Sequence, residues 1–397
     1  MKSIVASAEV LDAVSRARDF SPFLKLLLDR EQDLAADLDS GIWPGLAASA
    51  VTTDEPVARR LRIERRRLAL LVAIGDLAGL LDLTAVTAAL TAFADRALDL
   101  AITTAITERT PDAEPRGFAA IALGKQGGGE LNYSSDIDPI LIFDPDTLPH
   151  RPREEPAEAA VRIARRVVEL LQARDGDGYV FRVDLRLRPA PEVTPIALSI
   201  NAALSHYESQ AMAWERAAFI RARAAAGDAA LGAHFIDGVR PFVWRRGLDF
   251  GAIGEIRAMS RLIRDHHAQG QAFGPGYDLK RGRGGIREVE FFTQIHQLIH
   301  GGRDPALRVP GTRDALAALA GAGWIDPADA TALIDAYALL RTIEHRVQMI
   351  DDRQTHSLPT GAARDAVARL HGLRGGDALL DLLRPHVERV GSLYDSL

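Results

Sequence analysis

The sequence predicts an α+β fold, a small sheet set between two helical regions. Three observations predict it. Residues 1–108 carry apolar positions three and four apart, without alternation. Strand-like signals, apolar runs bounded by turns and period-two alternation, stand at residues 118–144 and 179–189. From about Gly251 the helical pattern returns and holds to Leu397. The expected units are therefore 1–108, helical; 109–248, bearing the sheet; and 249–397, a helical bundle. Two or three units is the ordinary expectation for 397 residues.

In the first region, Phe23, Leu26, Leu27 and Leu34 keep helical spacing. Residues 57–83 form a second helix with an arginine-rich face (Arg59, Arg60, Arg62, Arg65, Arg66, Arg67), read as solvated. An alanine-rich helix follows at 86–107, and Pro111 and Pro115 punctuate the loop beyond it. Residues 118–123 read as a buried strand, 124–129 as a glycine-rich turn and 130–135 as a polar link. A second strand opens with Asp136, Ile137 and Asp138. Alternate side chains share a strand face, so Asp136 and Asp138 point together.

After a proline-rich loop, residues 157–173 form a helix with Val161, Ala164, Val168 and Leu171 in one stripe. Residues 175–178 are a turn. Residues 179–189 alternate, with Phe181, Val183, Leu185 and Leu187 on one face and Arg182, Asp184, Arg186 and Arg188 on the other. Residues 201–226 read as one helix that carries Arg216, Ile220 and Arg223 on a shared face. Past glycine-rich interruptions at 274–276 and 280–285, residues 286–300 are apolar except for a stripe of Arg287, Glu290, Gln294 and Gln297. Such a stripe belongs against a cleft or an internal network. Residues 337–352 repeat the theme with Arg341, Glu344, His345 and Gln348, and His345 reads as a satisfied interior histidine. No internal repeat or low-complexity segment is present.

Composition narrows the class. Apolar residues make 47% of the chain and charged residues 26%, a globular balance. A net charge of -6 gives no global drive toward nucleic acid. There is no cysteine, which removes disulfides, Cys-ligated zinc and thiol nucleophiles and fits a cytoplasmic location. The N-terminus lacks an uninterrupted apolar core and reads as mature protein. The most apolar long stretch, 68–83, contains Asp76 and Asp82 and is too short to cross a bilayer. Only four lysines occur (Lys2, Lys25, Lys125, Lys280), leaving 44 of 48 basic residues as arginine. Lys125 and Lys280 sit beside glycine-rich segments, so chance and a need for an ammonium group stand as equal readings.

Asp136, Asp138 and Asp184 can converge from two strands, because neighbouring strands run about 4.8 Å apart. Three like charges together call for cations. Two divalent ions would neutralise them and clamp the oxygens of an in-line phosphoryl displacement. Oxygen-only ligands favour Mg²⁺ or Mn²⁺ over zinc. Gly124 and Lys125 follow a strand, where backbone N–H groups and an ammonium can hold phosphate. The pattern is not a P-loop, since Gln126 follows Lys125. Arg186 and Arg188 flank Asp184 as a phosphate wall.

Gly-Lys, ten residues, an Asp-Ile-Asp opening a strand and a later strand aspartate resemble the nucleotidyltransferase superfamily that includes polymerase beta. GKQGGGELNYSSDID, with FRVDLRLRP (181–189), WERAAFIRAR (214–223), LKRGRGGIREVEFFTQ (279–294) and LRTIEHRVQMIDDRQTHSLP (340–359), is similar to the bifunctional glutamine synthetase adenylyltransferase/adenylyl-removing enzymes over most of residues 117–360. ELNYSSDID and the Arg287-Glu288 pair resemble their N-terminal, adenylyl-removing unit. Family members usually carry two such units, and this chain carries one.

The resemblance implies a polymerase-beta-like nucleotidyltransferase domain at 109–248. It implies a [glutamine synthetase]-adenylyl-L-tyrosine phosphorylase, which uses phosphate to release AMP from tyrosine as ADP. Asp136, Asp138 and Asp184 would be the catalytic ligands of two Mg²⁺ ions, with Mn²⁺ as substitute. Gly124, Lys125, Ser135, Arg186 and Arg188 would bind nucleotide or phosphate, with Arg216 and Glu290 at the rim. Implied partners are adenylylated glutamine synthetase, phosphate and ADP, the PII signal protein and a C-terminal adenylyltransferase half, with no nucleic acid and no membrane. Two rivals stand beside it: forward adenylyl transfer from ATP at the same site, and a regulatory module that binds glutamine synthetase or PII without turnover. The complete aspartate trio argues against the second.

Overall fold

A computed structural model describes residues 7–51, 54–245 and 273–397, with Gly254 and Ala258 between. Five N-terminal helices come first: α1 (Ala8–Phe20), α2 (Pro22–Arg30), α3 (Gln32–Asp39), α4 (Val57–Leu77) and α5 (Leu83–Thr107). Their starts are written in the sequence. The Ser21 hydroxyl accepts from Leu24 N–H, with Pro22 at the first helical position, and the Asp82 carboxylate accepts from Ala85 N–H. Ser21 also donates to the Met349 carbonyl at 2.6 Å, which ties the first helices to the C-terminal region.

The middle of the chain supplies β1 (Phe118–Ala122), the single turn α6 (Gly124–Gly127), β2 (Asp136–Ile137), β3 (Pro139–Phe143), α7 (Pro156–Gln172), β4 (Arg182–Val183) and β5 (Ala197–Ser199). Then come α8 (Ile200–Ser209), α9 (Ala213–Phe219), β6 (Arg223–Gly227) and α10 (Ala229–Val243). A four-stranded sheet has the order β5-β3-β1-β6, and β2 pairs with β4 in a separate parallel ribbon. β1 is antiparallel to β3 and β6, while β3 is parallel to β5.

Both sheet faces are covered. Phe118, Ala120, Leu141, Phe143 and Ala197 pack with α4, α5 and α7. Their alternates Ala119, Ile121, Ile140, Ile142 and Leu198 pack with α8 and α10. A strand buried on two sides has no polar alternation, which is why 118–123 reads as a continuous apolar run. The C-terminal helices, α11 (Ile286–His300), α12 (Thr312–Gly321), α13 (Pro327–Asp351), α14 (Gly361–Leu370) and α15 (Gly376–Asp395), build a third core around Leu340, Ile343, Leu379 and Leu383.

Several sequence expectations are corrected. Residues 179–189 do not form one strand: only Arg182 and Val183 pair, after which the chain turns. The turn is fixed by the Asp184 carboxylate accepting from Arg186 N–H and by Arg188, which donates to the carbonyls of Leu185 and Pro191. Residues 201–226 are two helices and a strand. The alanines of β6 favour helix in isolation, but pairing with β1 and close packing of α5 and α10 override that preference.

Most of the arginine face of α4 is not solvated, although Arg59 is exposed. Arg62 and Arg65 are buried, and Arg66 and Arg67 bind Glu31, Asp33 and Asp177. The face clamps α4 to the 175–178 turn and to the α2–α3 junction. The α7 stripe is rotated from the expected one, burying Ala160, Ile163, Val167 and Leu170 with Ala164 and Leu171. The helix expected from about Gly251 lies mostly outside the described residues until Ile286.

β6 ends at Gly227, with φ +79 and an added Cβ 2.2 Å from the Phe118 carbonyl oxygen. Gly227→Ala is therefore expected to cost roughly 1–3 kcal/mol or more, from a left-handed backbone and forced separation of β6 from β1. The denaturation midpoint measures it, and an unchanged midpoint would contradict this packing.

Candidate active site

The ribbon of β2 and β4 brings the three aspartates together. Its parallel register sets Asp136 beside Arg182 and Ile137 beside Val183. One residue further, Asp184 N–H donates to the Ile137 carbonyl at 2.9 Å, so Asp138 lies opposite Asp184. Asp136, Asp138 and Asp184 each offer a carboxylate oxygen, and these oxygens lie within 4.8 Å of one another.

Asp138 pays electrostatically for that position. Burial, then Asp136 and Asp184, push its carboxyl up to about 7, against Lys280 and Lys125. The Arg186 hydrogen bond holds Asp184 below its usual range. Gln354 Nε2 donates to Asp136 Oδ1 at 2.5 Å. A crowded oxygen-only set in which one acid is driven toward neutrality fits hard divalent cations. The residues present therefore fit Mg²⁺ or Mn²⁺.

The turn after β1 lies against this group. Gly124 has φ +56, and a Cβ there would sit 2.6 Å from Asp138 Oδ2. Only glycine lets this backbone approach so closely. Lys125 follows, buried, with Nζ 3.2 and 3.3 Å from the Glu344 oxygens. Burial pulls its ammonium down to about 7, with Glu344 opposing. Burial would raise the Glu344 carboxyl, but Lys125, a 2.6 Å hydrogen bond from His356 Nδ1 and Arg341 hold it well below its usual range. Since an ionised carboxylate only accepts, the His356 Nδ1 carries the hydrogen.

The polar link 130–135 is anchored almost residue by residue. Glu130 accepts from Thr312 and Tyr337, and Leu131 N–H donates to Thr91. Asn132 accepts from Arg341, Tyr133 donates to the Ala69 carbonyl, and Ser134 N–H donates to Gln348. Half of these contacts come from α13, through Tyr337, Arg341 and Gln348. The polar stripe of that helix is the internal network the sequence suggested. His345 departs from expectation: it is fully buried, but neither ring nitrogen has a hydrogen-bond partner. Burial drives its imidazole down to about 3, so it is neutral.

A cavity of about 440 Å³ opens over the carboxylates. Among the expected site residues, Gly124, Lys125, Ser135, Asp136, Asp138 and Glu290 line it. Asp184 joins them through the carboxylate cluster. Arg186 is largely exposed and pairs with Asp184. Arg188 is spent on backbone carbonyls, and Arg216 stacks over Phe242, with neither lining the cavity.

Arg287 and Gln294 line the cavity with Glu290, as the cleft-facing stripe implied, and Lys280 lines it too, while Arg221, Gln354 and His356 were not expected there. Arg221 bonds Glu290 at 3.1 Å and Thr312 at 2.6 Å. Burial would raise the Glu290 carboxyl, but Arg221 and the nearby lysines bring it down to about 2. The scarcity of lysine singles out Lys280, with chance as the equal reading, and its place in the cavity favours the need for an ammonium group.

Residues 1–238 match the glutamate-ammonia ligase adenylyltransferase family, and residues 257–397 match the GlnD PII-uridylyltransferase family. The chain is similar to proteins named bifunctional glutamine synthetase adenylyltransferase/adenylyl-removing enzyme. That of Caulobacter vibrioides is 47% identical over 399 residues, covering 94% of this chain and 40% of that protein. That of Xanthobacter autotrophicus is 46% identical over 363 residues, covering 88% and 37%. That of Rhizobium meliloti is 42% identical over 425 residues, covering 99% and 43%. The chain thus spans about 40% of the length of these relatives. No helix among the described residues is long and apolar enough to cross a membrane.

Proposed function

The chain belongs to the glutamate-ammonia ligase adenylyltransferase family, and from that premise we propose that it removes AMP from the adenylylated tyrosine of glutamine synthetase by phosphorolysis, releasing ADP. The observation that carries the proposal is the convergence of Asp136, Asp138 and Asp184 at one end of a cavity whose other walls hold cations. The relatives' names, which include adenylyl removal, support the substrate. The likeness of ELNYSSDID to the adenylyl-removing unit supports the direction. The match of residues 257–397 to a family named for PII supports PII as a regulator.

Asp136, Asp138 and Asp184 would hold two divalent cations, Mg²⁺ or Mn²⁺. Bound there, such ions neutralise the carboxylates and withdraw charge from the phosphoryl oxygens. The chain's own residues would do the rest by position. The Gly124 turn brings backbone against the reacting phosphoryl group without a side chain between. Lys125, held by Glu344, would set an ammonium at a fixed point of the cavity. The link 130–135, bolted to α13, keeps the aspartate ribbon from shifting when substrate enters. Phosphate is already anionic at neutral pH, so no strong base is needed. The leaving phenolate has an intrinsic pKa of about 10 and needs only modest assistance.

Supplying adenylylated glutamine synthetase, Mg²⁺ and phosphate is expected to yield ADP at a rate that rises with phosphate, with PII altering that rate. In a second arm, unmodified glutamine synthetase is given ATP labelled in the adenylyl group. Label appearing on the synthetase, with no phosphate-dependent ADP in the first arm, would replace removal by forward transfer.

A further inference from the structure

Residues 279–287 bring Lys280 and Arg287 to the cavity. That stretch is rigid. Leu279 N–H donates to the His356 carbonyl, and Ile286 N–H returns to the Leu279 carbonyl, both at 2.8 Å. Asp278 Oδ1 accepts from Lys280 N–H and Arg281 N–H. Arg287 N–H donates to the Lys280 carbonyl at 3.0 Å, which fixes the two residues against each other. Gly284, at φ +81, leaves no room for a Cβ, which would fall 1.9 Å from the Val387 carbonyl oxygen.

Lys280 and Arg287 both line the cavity. The two other cavity cations are satisfied, Lys125 by Glu344 and Arg221 by Glu290 and Thr312. Lys280 and Arg287, by contrast, make no side-chain hydrogen bond or ion pair with any described residue. Burial pulls the Arg287 guanidinium below its usual range, with only partial relief from Glu290. An uncompensated, largely buried guanidinium costs free energy unless an anion completes it. The cavity acid on its own helix, Glu290, is already committed to Arg221.

We propose that Lys280 and Arg287 form the seat of the attacking inorganic phosphate, the group that becomes the outer phosphate of ADP. This assignment rests on the phosphorolysis reading. A guanidinium fork and a point-charge ammonium on one wall suit a tetrahedral dianion. One phosphate oxygen attacks the adenylyl phosphorus and forms the P–O–P bond. The bond from that phosphorus to the tyrosine oxygen breaks, and its electron pair leaves with the phenolate. The hydrogen that phosphate carried ends on the phenolate through solvent, giving tyrosine and ADP. Nothing is oxidised or reduced.

Two measurements test the seat on the full chain carrying Lys280→Gln, Arg287→Gln or Arg287→Lys. The first is the dependence of ADP formation on phosphate. Loss of one charge-assisted contact predicts a KM for phosphate raised about 10–100-fold, with the KM for adenylylated glutamine synthetase within about twofold and partial recovery in Arg287→Lys. Phosphate KM values equal to those of the unaltered chain would overturn the seat. The second is direct binding of inorganic phosphate, followed by phosphorus NMR line broadening without the synthetase. Binding weakened at least tenfold by Arg287→Gln supports the seat, and equal binding by all chains overturns it. If the unaltered chain makes no ADP yet binds phosphate through Lys280 and Arg287, the phosphorolysis reading fails and the anion seat stands.

Discussion

A chain carrying Asp136→Asn together with Asp138→Asn is expected to lose adenylyl removal by at least about 10³-fold, since metal charge stabilisation is worth several kcal/mol. In metal-free buffer at pH 8 the same chain is expected to be more stable than the unaltered one. Both results come from one arrangement. Three carboxylates share a space of less than 5 Å, and burial with Asp136 and Asp184 pushes Asp138 from 3.8 up to about 7. An acid whose folded pKa exceeds its unfolded value binds more protons when folded. Its penalty is absent below pH 3.8, grows as pH rises, and is complete above about 7. At about 1.4 kcal/mol per pKa unit, relief on the order of a few kcal/mol is expected above pH 7 and almost none near pH 4. Mg²⁺ or Mn²⁺ should raise the denaturation midpoint of the unaltered chain and leave that of the variant alone. Equal metal stabilisation of both chains would take these aspartates out of a metal site.

Glu344→Ala is expected to be among the most destabilising single changes in the molecule, by about 3–5 kcal/mol, because it strips a buried charge from its partners. Glu344 has no exposed surface and meets Lys125, Arg341 and His356 together. Its carboxyl is held well below 4.5, so at neutral pH its contribution is whole; it is lost only as acid carries the pH below the usual carboxylate range. Removing it leaves the Lys125 ammonium buried without a counter-charge, in a place where burial already brings it down to about 7. Glu344→Ala with Lys125→Met removes both charges and should recover much of the loss. Additive losses in that double-mutant cycle would mean that the two side chains are not coupled.

The convergence of the three aspartates was legible because strand geometry is local. Asp136 and Asp138 differ by two residues, so a strand points them the same way. Asp184 could be joined to them because strand spacing matches the size of a metal site. What surrounds them was less legible, because its parts are distant in sequence. Glu344 lies 219 residues from Lys125, and Gln354 lies 218 from Asp136. Nothing in the local pattern at 340–359 says which strand turn its polar stripe will meet.

The alternation at 179–189 misled for a local reason. Arg188 finds carbonyl partners in a turn three residues away, which an extended strand would deny it. β6 was hidden because its alanines carry no strand signature, and only the tight space between α5 and α10 selects them. Lys280 and Arg287 were visible as residue types, and the fold alone gave them their common wall.

The most direct test follows a phosphorus label placed in the adenylyl group of adenylylated glutamine synthetase. With Mg²⁺ and phosphate, the unaltered chain is predicted to move the label into ADP, only when phosphate is present, and the Asp136→Asn, Asp138→Asn chain to leave it on the synthetase. Label released equally by both chains, or released as AMP without phosphate, would contradict a phosphorolytic site built on these aspartates.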